Sequence, residues 1–202
     1  MIVARWMTKN PITIKADDTL AAARRKMDAG KFRRLPVVED GALVGIITDR
    51  DLRQHVGALE HVRVDAVMSK GVVSVTPSTM LEQAAYLLVK HKIGAMPVVD
   101  AGKLVGIVSA TDLLRAFAEV LGATEEGVSR IDLALAGDPG ELATIGQLVA
   151  GESGEILGMG TYPGAADSGA RQVLWVRLRS ADASRVARML NEQNFTVLAI
   201  HP

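Results

Sequence analysis

Apolar and polar positions along this chain change period every few residues, and the same order of periods is met twice. Short β-branched runs at residues 12–14 and 72–75 predict strands. Asp17, Asp18 and Thr19 follow the first, and Pro77, Ser78 and Thr79 the second, as candidate starts of a helix. Leu20, Ala23 and Met27 then recur at helical spacing, as do Leu81, Ala84, Ala85 and Leu88. Each helix gives way to "LPVVEDGALVGII" or "MPVVDAGKLVGIV", two apolar runs around Gly41 or Gly102, which predicts a hairpin whose turn needs positive φ. A second helix is expected after Asp51 and after Asp112, so each segment is β-α-β-β-α.

Residues 7–53 overlay residues 68–114 without a gap: Met7 falls on Met68, Leu20 on Leu81, Pro36 on Pro97, Leu43 on Leu104 and Asp51 on Asp112. A period this long marks two copies of one supersecondary unit. Each is too small to bury its own sheet, so residues 1–62 and 63–122 are expected to pack as one module. After a boundary expected between Ala123 and Gly127 the pattern changes. "SRIDLALAG", "EILGMGTY", "QVLWVRLRS" and "FTVLAI" read as strands, and "PGELATIGQLVAG" and "ADASRVARMLNEQN" as helices. Residues 127–202 therefore predict β-α-β-β-α-β, the ferredoxin-like order, and the whole chain is of mixed α/β (α+β) class.

Composition narrows the function. Of 202 residues 49% are hydrophobic, enough for packed cores, and 23 Lys plus Arg balance 23 Asp plus Glu. That neutrality, with two Trp, two Tyr and three Phe, argues against a nucleic-acid partner. No window approaches the roughly 18 apolar residues of a membrane span. The absence of cysteine removes disulfides and thiolate metal sites, and a cytoplasmic location is expected. His55, His61, His91 and His201 show no pairing at i+3 or i+4, so neither a metal nor a resident cofactor is expected. No nucleophile elbow or phosphate-binding Gly-Lys loop is present, and the chain does not read as an enzyme. Trp175, on an alternating strand, is read as sheet packing.

The candidate chemistry lies where a strand meets a helix. "GIITDRD" ends in Thr48 and Asp51, and "GIVSATD" in Ser109 and Asp112. A hydroxyl with a carboxylate three residues on is a capping box. Equally, a carboxylate at a helix N-terminus beside an apolar wall can accept the two hydroxyls of a ribose, with a phosphate nearby. The copies differ in charge. The first has "KFRR", Lys31 to Arg34, and Arg50; the second has "KIGA" and "SAT". A charge run is often a solvated face, but Arg beside a helix N-terminus also binds phosphate bidentately. On the second view the first cleft suits a polyphosphate, and the second a nucleoside or monophosphate, or nothing.

Paired β-α-β-β-α units ending in "G-[IV]-[IV]-[ST]-x-x-D" resemble a tandem CBS-domain pair, the Bateman module. The resemblance covers about residues 1–120 and implies binding of AMP, ADP, ATP or another adenosyl compound, with no catalysis, and association as a homodimer. It assigns ribose and phosphate to Thr48, Asp51, Ser109 and Asp112, and the charge difference between the copies adds Arg33, Arg34 and Arg50 as candidate phosphate ligands. Adenine would be lined by Thr13, Ile14, Leu35 and Pro36, and by Ser74, Val75, Ala95, Met96 and Pro97. The C-terminal opening "AGDPGELATIG" resembles an ACT domain, whose D-x-P-G-x-L loop implies a ligand site at Gly137, Asp138, Pro139 and Gly140. Here Asp138 abuts Pro139, and a Pro-Gly helix start explains the same residues. A CBS pair followed by an ACT domain resembles the acetoin-utilisation type of regulatory protein.

Overall fold

The computed structural model describes residues 1–123, 125–138, 140–151, 155–164, 170–179 and 182–201. These fall into two units, Met1–Ala116 and Phe117–Pro202.

In the first unit the chain runs through β1 (Thr8–Lys9), α1 (Leu20–Gly30), β2 (Arg34–Glu39), β3 (Ala42–Thr48), α2 (Asp49–Arg53), α3 (Leu81–Lys90), β4 (Ala95–Asp100), β5 (Lys103–Ser109) and the start of α4 (Ala110–Val120), whose last four residues fall in the second. Thr19 caps α1 by accepting the Ala22 N–H at 3.3 Å. Leu20, Ala23 and Met27 are buried from α1, and Leu81, Ala84 and Leu88 from α3. Both hairpins turn on two left-handed residues, Asp40–Gly41 and Ala101–Gly102, the backbone of the tight turn that matches strand twist. Both carry a bulge at the same place, Val37/Val38 and Val98/Val99.

The copies are interlocked. β1, from the start of the first copy, pairs with β5 of the second (Thr8 with Ile107), and Ser69, from the start of the second, bridges Ile46 of the first. Val3 N–H donates to the Thr79 carbonyl, and Val64 N–H to the Asp18 carbonyl, each at 2.9 Å. Every pair is the image of the other under the 61-residue shift, which defines a local two-fold relation. The repeated glycine of "LVGI" follows from this exchange. A Cβ at Gly45 would lie 2.5 Å from the Met68 sulfur, and one at Gly106 would lie 2.6 Å from that of Met7. A methionine of the other copy occupies that space.

Two expectations are corrected. The strands expected at 12–14 and 72–75 reduce to single parallel bridges, Ile14 with Val37 and Val75 with Val98. Each makes two backbone hydrogen bonds before the chain turns towards its helix, as where Lys15 N–H meets the Asp18 carboxylate. The second helices are also unequal, since α2 has five residues and α4 eleven. After α2 the chain enters a 3-10 turn at Val56–Ala58, where a β-branched residue and Gly57 both disfavour α-helix.

The second unit runs β6 (Ser129–Leu135), α5 (Glu141–Gly151), β7 (Glu155–Pro163), β8 (Gln172–Arg179), α6 (Ala183–Glu192) and β9 (Thr196–His201). Its antiparallel sheet has the order β7-β8-β6-β9. Ile131, Leu133, Leu174, Val176 and Leu178 alternate onto the face that packs with Ile145, Val149, Val186 and Leu190 of the helices. Arg130, Asp132 and Trp175 alternate to the other face. There Arg130 chelates Asp132 at 2.6 and 3.0 Å and Tyr162 donates to the same carboxylate at 3.0 Å. Hydrogen bonding to Asp132 raises the Arg130 pKa against the opposing desolvation. Trp175 packs on Gly160, a structural role.

Candidate functional site

Both signatures fold into capping boxes. Thr48 N–H and hydroxyl donate to Asp51 Oδ2 at 2.8 and 2.7 Å; Ser109 N–H and hydroxyl donate to Asp112 Oδ2 at 2.9 and 2.6 Å. Asp112 N–H returns to the Ser109 hydroxyl at 3.2 Å, closing the box. The box engages one oxygen of each carboxylate. Oδ1 is left outside it in both copies, and in Asp112 it lies 3.7 Å from the exposed Arg115 guanidinium.

The cleft of about 590 Å³ opens at the second signature. Ser109, Thr111 and Asp112 form one end. Ile12, Phe32, Pro36, Ala95 and Ile107 supply apolar wall, and Lys31, Arg33 and Arg34 come in from the first copy. Its volume and its apolar wall flanked by polar and charged groups suit a small-molecule ligand. The expected gathering of Arg33 and Arg34 with Arg50 is not what the fold produces. Arg50 is exposed on α2 and outside this lining, while the head of β2 is brought against the head of β4. Arg34 Nη1 donates to the Ala95 carbonyl at 3.3 Å.

Arg34 is half-buried, and desolvation holds its pKa below the ordinary arginine value. Among the described residues no carboxylate pairs with it. Burying a charge without a counter-charge is costly, and an anion bound in the cleft would offset that cost.

The remaining expected residues are dispersed. The Thr13 carbonyl accepts from Lys26 Nζ at 2.7 Å, and Ile14, Leu35, Met96 and Pro97 are buried in the module. Ser74 and Val75 border a separate hollow of about 420 Å³ with Thr76, Gln83 and Leu87. Thr8, Asn10 and Pro11 line the main cleft and carry no motif. The gapless repeat was the one available signal for them, because an exchange of N-terminal segments brings the start of one copy to the other's hairpin.

In the second unit the loop before α5 is filled by the protein's own carboxylate. Glu141 accepts the N–H groups of Gly137 and Asp138 at 2.9 and 3.0 Å and of Ala136 at 3.2 Å. Desolvation pushes its carboxyl up, and the three amide donors more than reverse this, leaving it below the ordinary carboxylate range. The Gly140 carbonyl accepts the Thr144 N–H at 3.0 Å. Pro139 lies outside the described residues.

Among the described residues no group of three His, Cys, Asp or Glu could hold a metal ion, and no helix is long and apolar enough to cross a membrane.

The paired signatures, the exchanged strands and the cleft between copies define a duplicated module, and the chain belongs to the CBS domain family, whose sequence model matches residues 3–58 and 64–119. It is 36% identical over 136 residues to the CBS domain-containing protein DDB_G0289609 of Dictyostelium discoideum, covering 60% of this chain and 94% of that one. Among solved structures it resembles CBSX2 of Arabidopsis thaliana in complex with AMP, with 31% identity and a TM-score of 0.54 over 59% of this chain and 98% of that one. It also resembles a Vibrio cholerae protein assigned to acetoin utilization (AcuB), with 33% identity and a TM-score of 0.57 over 62% and 96%.

Proposed function

We propose that this chain is a regulatory sensor that binds an adenine nucleotide, AMP, ADP or ATP or another adenosyl compound, in the cleft at Ser109 and Asp112. The observation that carries the reading is the unpaired, half-buried Arg34 in the same cleft as the Asp112 carboxylate. The second Asp112 oxygen accepts ribose hydroxyls, the apolar wall takes the base, and Arg33 and Arg34 take phosphate. The AMP complex of CBSX2 supports the choice of ligand.

The first signature, Thr48 to Asp51, acts as a helix cap. Within the second unit, residues 127–202 are ACT-like, and their loop is satisfied by Glu141 rather than by an amino acid. This favours assembly over sensing for that unit, so the protein works as a cytoplasmic homodimer that passes nucleotide occupancy to a regulated partner. The competing reading, a dimerisation module with degenerate sites, gains weight from the capping boxes that engage both Asp51 and Asp112.

Thermal shift and calorimetry with AMP, ATP and adenosine test the proposal. A ligand that binds the folded state raises the melting temperature by mass action. Saturable binding with the nucleotide recovered unchanged supports a sensor. No shift with any of the three leaves the dimerisation module, and turnover of the nucleotide would make the protein an enzyme.

A further inference from the structure

Gly94 stands immediately before β4, where the first copy has Arg33. Its backbone is not among those with positive φ, so no turn demands a glycine there. Its carbonyl accepts the Ala110 N–H at 3.0 Å, but that backbone is not among the three atoms nearest an added Cβ. The nearest atoms to an added Cβ all belong to Arg34, with Nη2 at 3.0 Å, and the neighbouring Ala95 carbonyl accepts Nη1. The space left by the missing side chain is the space in which the guanidinium lies.

We propose that Gly94 is a positioning residue, a side-chain-free seat that fixes the Arg34 guanidinium at the charged end of the Ser109–Asp112 cleft. One copy thereby holds the ligand's sugar end, and the other reads its phosphate across the local two-fold. The reciprocal seat does not exist, because the second copy has Ala95 where the first has Arg34. The inference rests on the nucleotide reading for the sugar end and stands apart from it for the charged end.

Calorimetry with inorganic pyrophosphate, AMP and adenosine separates the two. Gly94→Ala meets the flexible end of Arg34, so it leaves the fold intact and moves the guanidinium by a few tenths of an ångström. It should weaken pyrophosphate and AMP about three-fold, and Gly94→Val about ten-fold or more, with adenosine held within about two-fold. Arg34→Met should match Gly94→Val, and the double variant should be no weaker than Arg34→Met alone, since both act on one group. Arg34→Met also covers the case in which Val disturbs β4. Equal losses for adenosine, additive losses in the double variant, or a wild type that takes up no pyrophosphate would overturn the seat. Gly94-dependent pyrophosphate binding without adenosine binding supports the seat and refutes the nucleotide reading.

Discussion

The Thr48–Asp51 and Ser109–Asp112 signatures begin from one pattern and reach the same local geometry, with a carboxylate accepting the N–H and hydroxyl of the residue three positions earlier. They part at the head of the preceding hairpin, where one copy has Arg33–Arg34 and the other Gly94–Ala95. The larger side chains bring charge to the join between copies, and the smaller ones leave room for it. Duplication supplies a symmetric frame, and two substituted positions make it directional. A motif shared by both copies therefore locates a fold position, while on the proposed reading the ligand's place is set by what the copies do not share.

The equality of the two copies as folding units can be broken at its core. Leu35 and Met96 occupy the same position and are fully buried. Leu35→Ala and Met96→Ala should each lower stability by about 2–5 kcal/mol in urea denaturation. A cost confined to one of them would show that the copies do not share the load.

A smaller effect sharpens the interlock. Gly45→Ala and Gly106→Ala each drive a Cβ into a methionine of the other copy and should cost about 1–3 kcal/mol. Met68→Ala should relieve part of the Gly45→Ala penalty and none of that at Gly106. Relief at both sites, or at neither, would contradict the exchange of N-terminal segments.

The smallest effect contrasts the cleft with the satisfied loop of the second unit. Because the folded Glu141 pKa lies below its ordinary 4.5, its contribution to stability is present above that value and is lost as pH falls through the folded pKa. Stability measured between about pH 6 and pH 3 should fall more for the wild type than for Glu141→Gln. Identical acid limbs would show that the carboxylate does not hold the loop.

Much of this was legible in the sequence for a physical reason. Caps, hairpin turns and helix faces are local, so Thr19, Gly41 and Gly102 announce them through residue type. The exchange of Thr8–Lys9 and Ser69 was not legible, since two-residue pairings carry no periodicity and depend on a partner sixty or more positions away or twenty-odd back. The direction of Arg34 was hidden likewise: "KFRR" reports a charge, and the local two-fold decides which cleft it enters. The truncation of α2 was readable in Val56 and Gly57 but masked by the strength of the repeat. In the second unit, an acid directly after Gly140 already stood where it could fill the amide donors that a free carboxylate would use.

On the proposed reading the nucleotide cleft lies at the second signature, read by cations from the first copy. AMP titrated by calorimetry into wild type, Asp51→Ala and Asp112→Ala tests it most directly. Asp112→Ala should weaken AMP about ten-fold to a hundred-fold while Asp51→Ala stays within about three-fold of wild type. The opposite order, or equal losses from both, would contradict it.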